Sequence, residues 1–208
     1  MNLKDITLAY GNNVVAHIEN AELLSGELVC LVGRNGSGKS TLIRYLLNRD
    51  NDPKEMAVVL TDRIDIDRMT MRDVVAMGRM PYTGFFGSLS DEDRRIVDEA
   101  METLGISKFA DRLINTLSDG ERQKAMIAKA LAQETPYILL DEPTAYLDYP
   151  SKISTMQLLK KLAHEQNKAI LISTHDIEVS MRYCDKVWWM KEKTLQTLSP
   201  ENFNPSLI

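Results

Sequence analysis

Leu28-Val29-Cys30-Leu31-Val32-Gly33-Arg34-Asn35-Gly36-Ser37-Gly38-Lys39-Ser40-Thr41 carries an apolar run into a glycine-rich loop and then into the start of a helix. Residues 33–41 satisfy G-x-x-x-x-G-K-[ST], and a strand before and a helix after are the setting that this pattern needs. Gly33, Gly36 and Gly38 let the backbone close around phosphate oxygens, with Arg34, Asn35, Ser37 and Thr41 completing the cradle. Lys39 has the reach for the outer phosphates, and the Ser40 hydroxyl can ligate Mg²⁺. Leu42, Ile43, Leu46 and Leu47 give the following helix one apolar face, and its positive end points at the same anion. This unit predicts an α/β P-loop domain with a mostly parallel sheet.

On the N-terminal side, Ile6, Leu8 and Tyr10 alternate with polar residues, Gly11-Asn12-Asn13 reads as a turn, and Val14 to Ile18 is extended again. This predicts a small antiparallel hairpin. On the C-terminal side, Ser90 with Asp93 makes a capping box for a helix carrying Ile96, Val97, Ala100, Met101 and Leu104, ended by Gly105. A second helix is predicted from Leu117-Ser118-Asp119-Gly120-Glu121 to about Gln133, with Ile127, Ala128, Leu131 and Ala132 inward. A third is predicted from Ser151 to about Asn167 on Ile153, Met156, Leu159 and Leu162. Tyr137-Ile138-Leu139-Leu140, Ala169 to Ser173, and Val187-Trp188-Trp189-Met190 read as buried strands.

The chain has 208 residues and a formal net charge of −5. That length suits one α/β domain with a substantial core. The acidic balance argues against a general nucleic-acid surface, so nucleic acid is not an expected partner. No stretch approaches the roughly 18 consecutive apolar residues that span a bilayer, and the polar start Met1-Asn2-Leu3-Lys4-Asp5 lacks a signal-peptide pattern. Cys30 and Cys184 have no metal-ligand spacing and read as buried free thiols in a reducing compartment.

Three further positions carry chemistry. Asp141 closes an apolar strand, where a carboxylate at the sheet edge can hold Mg²⁺ through water. Glu142 is the next residue. His175 follows a five-residue apolar strand, near where a terminal phosphate lies in a sheet of this kind. Ser118 and the Gly120 N–H open a helix, a second place where an anion is favoured.

In this order the motifs resemble the nucleotide-binding subunits of ABC transporters, from about Leu3 to Leu198. Tyr10 matches the A-loop aromatic, residues 33–41 Walker A, residues 117–121 the signature, residues 137–142 Walker B, Ala145-Tyr146-Leu147-Asp148 the D-loop, and His175 the switch histidine. The resemblance implies a single nucleotide-binding domain over 1–208 with a helical subdomain at approximately 67–133. It implies ATP and Mg²⁺ as ligands, Glu142 as the base that polarises the attacking water, and His175 and Lys39 at the γ-phosphate. Tyr10 would stack on adenine, with a plain strand-end tyrosine as the alternative. The signature and Asp148 would serve ATP held by a second copy of the chain, in a head-to-tail sandwich of two-fold symmetry. Transmembrane permease subunits at the cytoplasmic face of the cell membrane, and indirectly a periplasmic or surface substrate-binding protein, would complete the machine.

Three departures bear on this reading. The signature carries Asp119 and Glu121 where the family has Gly and Gln, and a carboxylate beside phosphates is repulsive unless it turns away. Thr61-Asp62 stands after Met56-Ala57-Val58-Val59-Leu60 where the family has a metal-ligating Gln, and Asp62 could take that role through its carboxylate. Only 20 residues separate Lys39 from Val59, markedly fewer than the resemblance implies. Either the small antiparallel strands usual there are lacking, or the sequence is interrupted.

Asp73-Val74-Val75-Ala76-Met77-Gly78-Arg79-Met80-Pro81-Tyr82, followed by Phe86-Gly87, resembles the importers of iron-siderophore, haem and cobalamin compounds. A non-transport ABC-type ATPase and a catalytically weakened regulatory module are the alternatives. The first usually has long coiled coils or tandem nucleotide domains, which this chain does not show. Glu142 and His175 argue against the second.

Overall fold

The computed structural model describes residues 1–11, 13–49, 52–60, 68–84 and 87–207, without the side chains of Tyr10 and Leu207. The chain begins with the hairpin β1 (Asn2–Tyr10) and β2 (Asn13–Glu22), then β3 (Leu28–Gly33), α1 (Lys39–Arg49) and β4 (Met56–Val59). Helices α2 (Met71–Ala76), α3 (Asp91–Thr103) and α4 (Asp119–Ala132) follow. The last part is β5 (Tyr137–Asp141), α5 (Tyr149–Glu165), β6 (Ala169–Ser173), α6 (Ile177–Met181), β7 (Lys186–Lys191) and β8 (Thr194–Leu198).

The strands form one sheet in the order β1-β2-β8-β7-β3-β6-β5-β4. From β7 to β4 every neighbour is parallel, as the alternation of strands and helices predicts. The hairpin is antiparallel and joins the main sheet where the His17 N–H donates to Lys193 O at 2.7 Å. β8, which pairs antiparallel with β7, makes that junction.

Helices cover both faces of this sheet, which is why the central strands read as continuous apolar runs. Successive side chains point to opposite faces. Cys30, Val32, Ile138, Leu140, Ile170 and Ile172 therefore share one core with α2 through α6. Val29, Leu31, Leu139, Leu171 and Trp188 share the other with α1 and the hairpin. Full burial of a Val, Leu or Ile contributes roughly 1.5–3 kcal/mol, enough to fix which face each strand presents. Cys30 and Cys184 are buried free thiols, and burial pushes the Cys30 thiol well above its ordinary pKa.

The capping box predicted at Ser90 is present: the Asp93 carboxylate accepts from the Ser90 N–H at 2.9 Å, and the Asp93 N–H donates to Ser90 Oγ at 3.1 Å. A second one, Thr70 with Asp73, starts α2. The third helix begins two residues before the predicted Ser151. Asp148 accepts from the Ser151 N–H at 3.0 Å, so the cap is at 148 and Pro150 falls in the first turn, where its missing N–H costs nothing.

Helices α2, α3 and α4 are held together by a buried cation. Arg79 Nε donates to Asp93 at 2.9 Å, and Nη1 donates to Ala132 O and to Glu134, both at 2.8 Å. Its guanidinium lies 4.1 Å from the centre of the Tyr82 ring. The start of α3 and the end of α4 are thereby tied to the turn Met77–Tyr82. That turn crosses α4 so closely that a Cβ on Gly78 would come within 2.3 Å of Lys129 O. The Ser90 hydrogen bonds, with help from Arg79, hold the Asp93 carboxyl down at about 2. No helix among the described residues is long and apolar enough to cross a membrane.

Candidate nucleotide site

Three adjacent strands end side by side. β6 lies between β3 and β5, and Ser173 is in register with both Leu31 and Asp141. Whatever follows these strands must therefore converge at the C-terminal edge, where open α/β sheets bind their ligands. Residues 33–41 follow β3, Asp141 and Glu142 end β5, and His175 follows β6.

The loop wraps back on itself: the Ser37 N–H donates to Arg34 O at 3.1 Å, and the Leu42 N–H donates to Gly38 O at 2.8 Å as α1 begins. Gly38 has φ of 103°, and a Cβ there would strike Val15 at 2.6 Å. Only glycine meets both conditions. Gly33 and Gly38 are buried, Arg34, Asn35, Gly36 and Ser40 are exposed, and Thr41 is half-buried. Lys39 is buried and donates from Nζ to Gly33 O at 2.8 Å and to Arg34 O at 3.3 Å. Burial lowers the pKa of its ammonium, while Glu142 and Asp141 act to raise it.

At the end of β5 the chain turns sharply. Glu142 has φ of 53°, a left-handed conformation uncommon outside glycine and often found at functional sites. Its N–H donates to Ser173 Oγ at 3.0 Å and to Ser173 O at 3.2 Å. The Ser173 hydroxyl in turn donates to Asp141. One serine thus fixes both neighbouring carboxylate residues, with Asp141 along the strand and Glu142 turned off it. The Glu142 carboxylate lies 2.8 Å from His175 Nε2. Behind His175, Asp176 accepts from Thr144 Oγ1 at 2.8 Å and from Lys152 at 2.7 Å. This anchors the loop after β6 to α5.

Sequence reasoning passed over Ser173, Thr144, Asp176 and Lys152. Ser173 belongs beside Asp141 only through strand register, which no local pattern carries. Asp148, expected at a nucleotide, has its carboxylate engaged by the Ser151 N–H at the start of α5, which pulls that carboxyl below its ordinary pKa. Tyr10 ends β1, and its side chain lies outside the described residues, as do Thr61, Asp62 and Phe86 entirely.

The signature stands elsewhere. Ser118 caps α4: the Glu121 N–H donates to Ser118 Oγ at 3.3 Å, and the Ser118 N–H and hydroxyl donate to Glu121 at 2.8 and 2.9 Å. Gly120 lies against Leu147, 3.2 Å from where a Cβ would be. Among the described residues no hydrogen bond joins Ser118 or Gly120 to residues 33–41.

These residues suit a nucleotide and a hard cation. Ser37 Oγ is buried in the loop with no hydrogen-bond partner, a donor left for a phosphate oxygen. Ser40 and Asp141 supply oxygen donors, and no cluster of three His, Cys, Asp or Glu cages a metal among the described residues. Mg²⁺ is held in that manner, by one or two protein oxygens, water and phosphates.

Fold and site together define a P-loop nucleotide hydrolase. The family model described as ABC transporter matches residues 18–145. An ABC transporter ATP-binding protein of Methanocaldococcus jannaschii is 42% identical over 96% of this chain and 76% of its own length. The iron(3+)-hydroxamate import ATP-binding protein of Bacillus subtilis is 34% identical over 94% of this chain and 80% of its own. A solved metal-chelate type ABC transporter in an inward-facing conformation superposes with a TM-score of 0.88 at 26% identity, covering 97% of this chain and 83% of that one. A dimeric bacterial ABC transporter cassette superposes with a TM-score of 0.82 at 27% identity, covering 98% of this chain and all of that one. The chain belongs to the ABC transporter family, as an ATP-binding subunit, and subunits of this kind are ATPases.

Proposed function

We propose that this subunit powers import of an iron-siderophore, haem or cobalamin-type compound, working as a head-to-tail pair beneath permease subunits at the cytoplasmic face of the membrane. The observation that carries the catalytic half is the Glu142–His175 contact of 2.8 Å, held beside the phosphate loop by Ser173. Residues 33–41 bind the phosphates of ATP, and Lys39 exchanges its loop carbonyls for phosphate oxygens. Ser40 and Asp141 would hold Mg²⁺, which would supply positive charge to offset that of the phosphates. Glu142 accepts a proton from the attacking water, and His175 orients that carboxylate and faces the γ-phosphate. Ser118, Gly120 and Asp148 complete the site of the second copy.

The dimeric cassette supports pairing, and the named cargo of the Bacillus relative, with the metal-chelate type of the solved transporter, supports the substrate class. A substrate-binding protein delivers the cargo from outside. Glu142→Gln should bind ATP normally and lose about 10²- to 10⁴-fold in turnover. Hydrolysis at the parental rate would remove Glu142 from this role. Uptake of labelled ferric siderophore, haem and cobalamin by cells with and without the gene tests the cargo, and equal uptake of all three would refute it.

A further inference from the structure

His175 is placed by its neighbours rather than by its own burial. Its side chain is 45% exposed, so the loop Thr174-His175-Asp176 between β6 and α6 has to hold it at Glu142. The Asp176 N–H donates to Thr174 Oγ1 at 3.0 Å, and the Ser180 hydroxyl bonds that same oxygen at 3.2 Å. The Asp176 carboxylate is gripped from two other elements. One of its oxygens accepts from Thr144 Oγ1 at 2.8 Å, and the other accepts from Lys152 Nζ at 2.7 Å.

Thr144 is buried and lies in the turn that opens at Glu142, where the Ala145 N–H donates to Glu142 O at 3.0 Å. Lys152 belongs to α5. Its N–H donates to Asp148 O at 2.9 Å, so it moves with the helix that Asp148 caps. Lys152 and Asp176 are only 23% and 30% exposed, and a charged hydrogen bond partly withdrawn from water is stronger than one at an open surface. The pair lines one cleft with His175, Leu147 and Tyr149. Without Lys152, the Asp176 side chain keeps only the Thr144 hydroxyl among the described residues. A loosened carboxylate next to His175 is then a rival to Glu142 for the imidazole.

We propose that Lys152 is a positioning residue for ATP hydrolysis: by holding Asp176 against α5 it keeps His175 on Glu142, so the seating of α5 behind Asp148 sets the alignment of the base. This rests on the roles given above to Glu142 and His175. A second lysine of α5 supplies the contrast, since Lys160 pairs with Asp185 at 3.7 Å, beside the start of β3 and away from the site.

The test is steady-state ATP hydrolysis by the purified subunit at saturating protein concentration, with nucleotide affinity measured separately by a fluorescent ATP analogue. Lys152→Met keeps the apolar stem and removes the charge. It should lower kcat on the order of tenfold, as small displacements of catalytic groups do, and leave KM and nucleotide affinity within about twofold. Lys152→Arg should recover most of that loss, and Lys152→Gln takes the place of Lys152→Met if the latter does not fold. Combined with Asp176→Asn, Lys152→Met should lose clearly less than the product of the two separate losses, because the side chains act as one unit. Lys160→Met should leave kcat within about twofold of the parent. An unchanged kcat in Lys152→Met, an equal loss in Lys160→Met, or a loss in nucleotide affinity instead of kcat overturns the inference. If Glu142→Gln is inactive in the same assay, the catalytic reading stands and only the role of Lys152 is removed. If Glu142→Gln hydrolyses ATP at the parental rate, that reading falls, and the inference with it.

Discussion

Two helices in this molecule begin where an anion is favoured, and they are built in opposite ways. The first turn of α1 follows a glycine loop, has no acidic residue and contains a buried lysine. The first turn of α4 has two carboxylates, and its hydroxyl is already engaged in a capping box. The first is arranged to hold phosphate in a single copy of the chain. The second satisfies its own backbone, so under the proposed function an anion reaches it only from a facing subunit. Glycine and lysine make a resident site; serine with its own acid makes a conditional one.

The largest effect should fall on the resident site. Lys39→Ala removes the only buried ammonium near Asp141 and Glu142 among the described residues. ATPase activity should fall by about two orders of magnitude or more, with ATP binding weakened as well. Comparable activity in a steady-state assay would mean that α1 holds phosphate without the lysine.

A smaller effect separates the two helices by pH. Asp93, clamped to Arg79 at the far end of α4, is held at about 2 against an ordinary 3.8. A carboxyl lowered on folding stabilises the fold above its unfolded value, and that stability disappears as pH falls through the folded value. Between about pH 4 and 2, hydrogen exchange in α3 and α4 should accelerate ahead of that in α1 and β3. Asp93→Asn should bring the same selective loosening to neutral pH, with roughly 2–3 kcal/mol lost in denaturant melts. Uniform loosening of both regions would erase the distinction.

The smallest effect concerns the cap itself. Ser118→Ala should cost about 1 kcal/mol of stability, the usual worth of an N-cap hydroxyl. Ser40→Ala, which removes no cap, should leave stability within about 0.5 kcal/mol. Equal costs in thermal melts would argue that the hydroxyls serve alike.

The legibility of the sequence follows the same division. Local rules exposed the phosphate loop, the Ser90 cap, the start of α4 and the buried strands, because each is written in consecutive residues. Asp141 at the end of β5 was legible for that reason. The clamp at Arg79 was not, since its partners lie 14, 53 and 55 residues away along the chain. Ser173 was missed for the same cause: its hydrogen bonds cross strands 31 and 32 residues apart. β8 and the short α6 were missed because a five-residue strand and a five-residue helix carry too little periodicity to register.

The central claim is that the two kinds of helix start meet only between copies. Mixing Lys39→Ala with Ser118→Arg tests it, since each variant alone has two defective sites and a mixed pair has one intact site. Each alone should be nearly inactive, and the mixture should recover activity that rises with protein concentration. No recovery at any ratio or concentration would contradict the shared site.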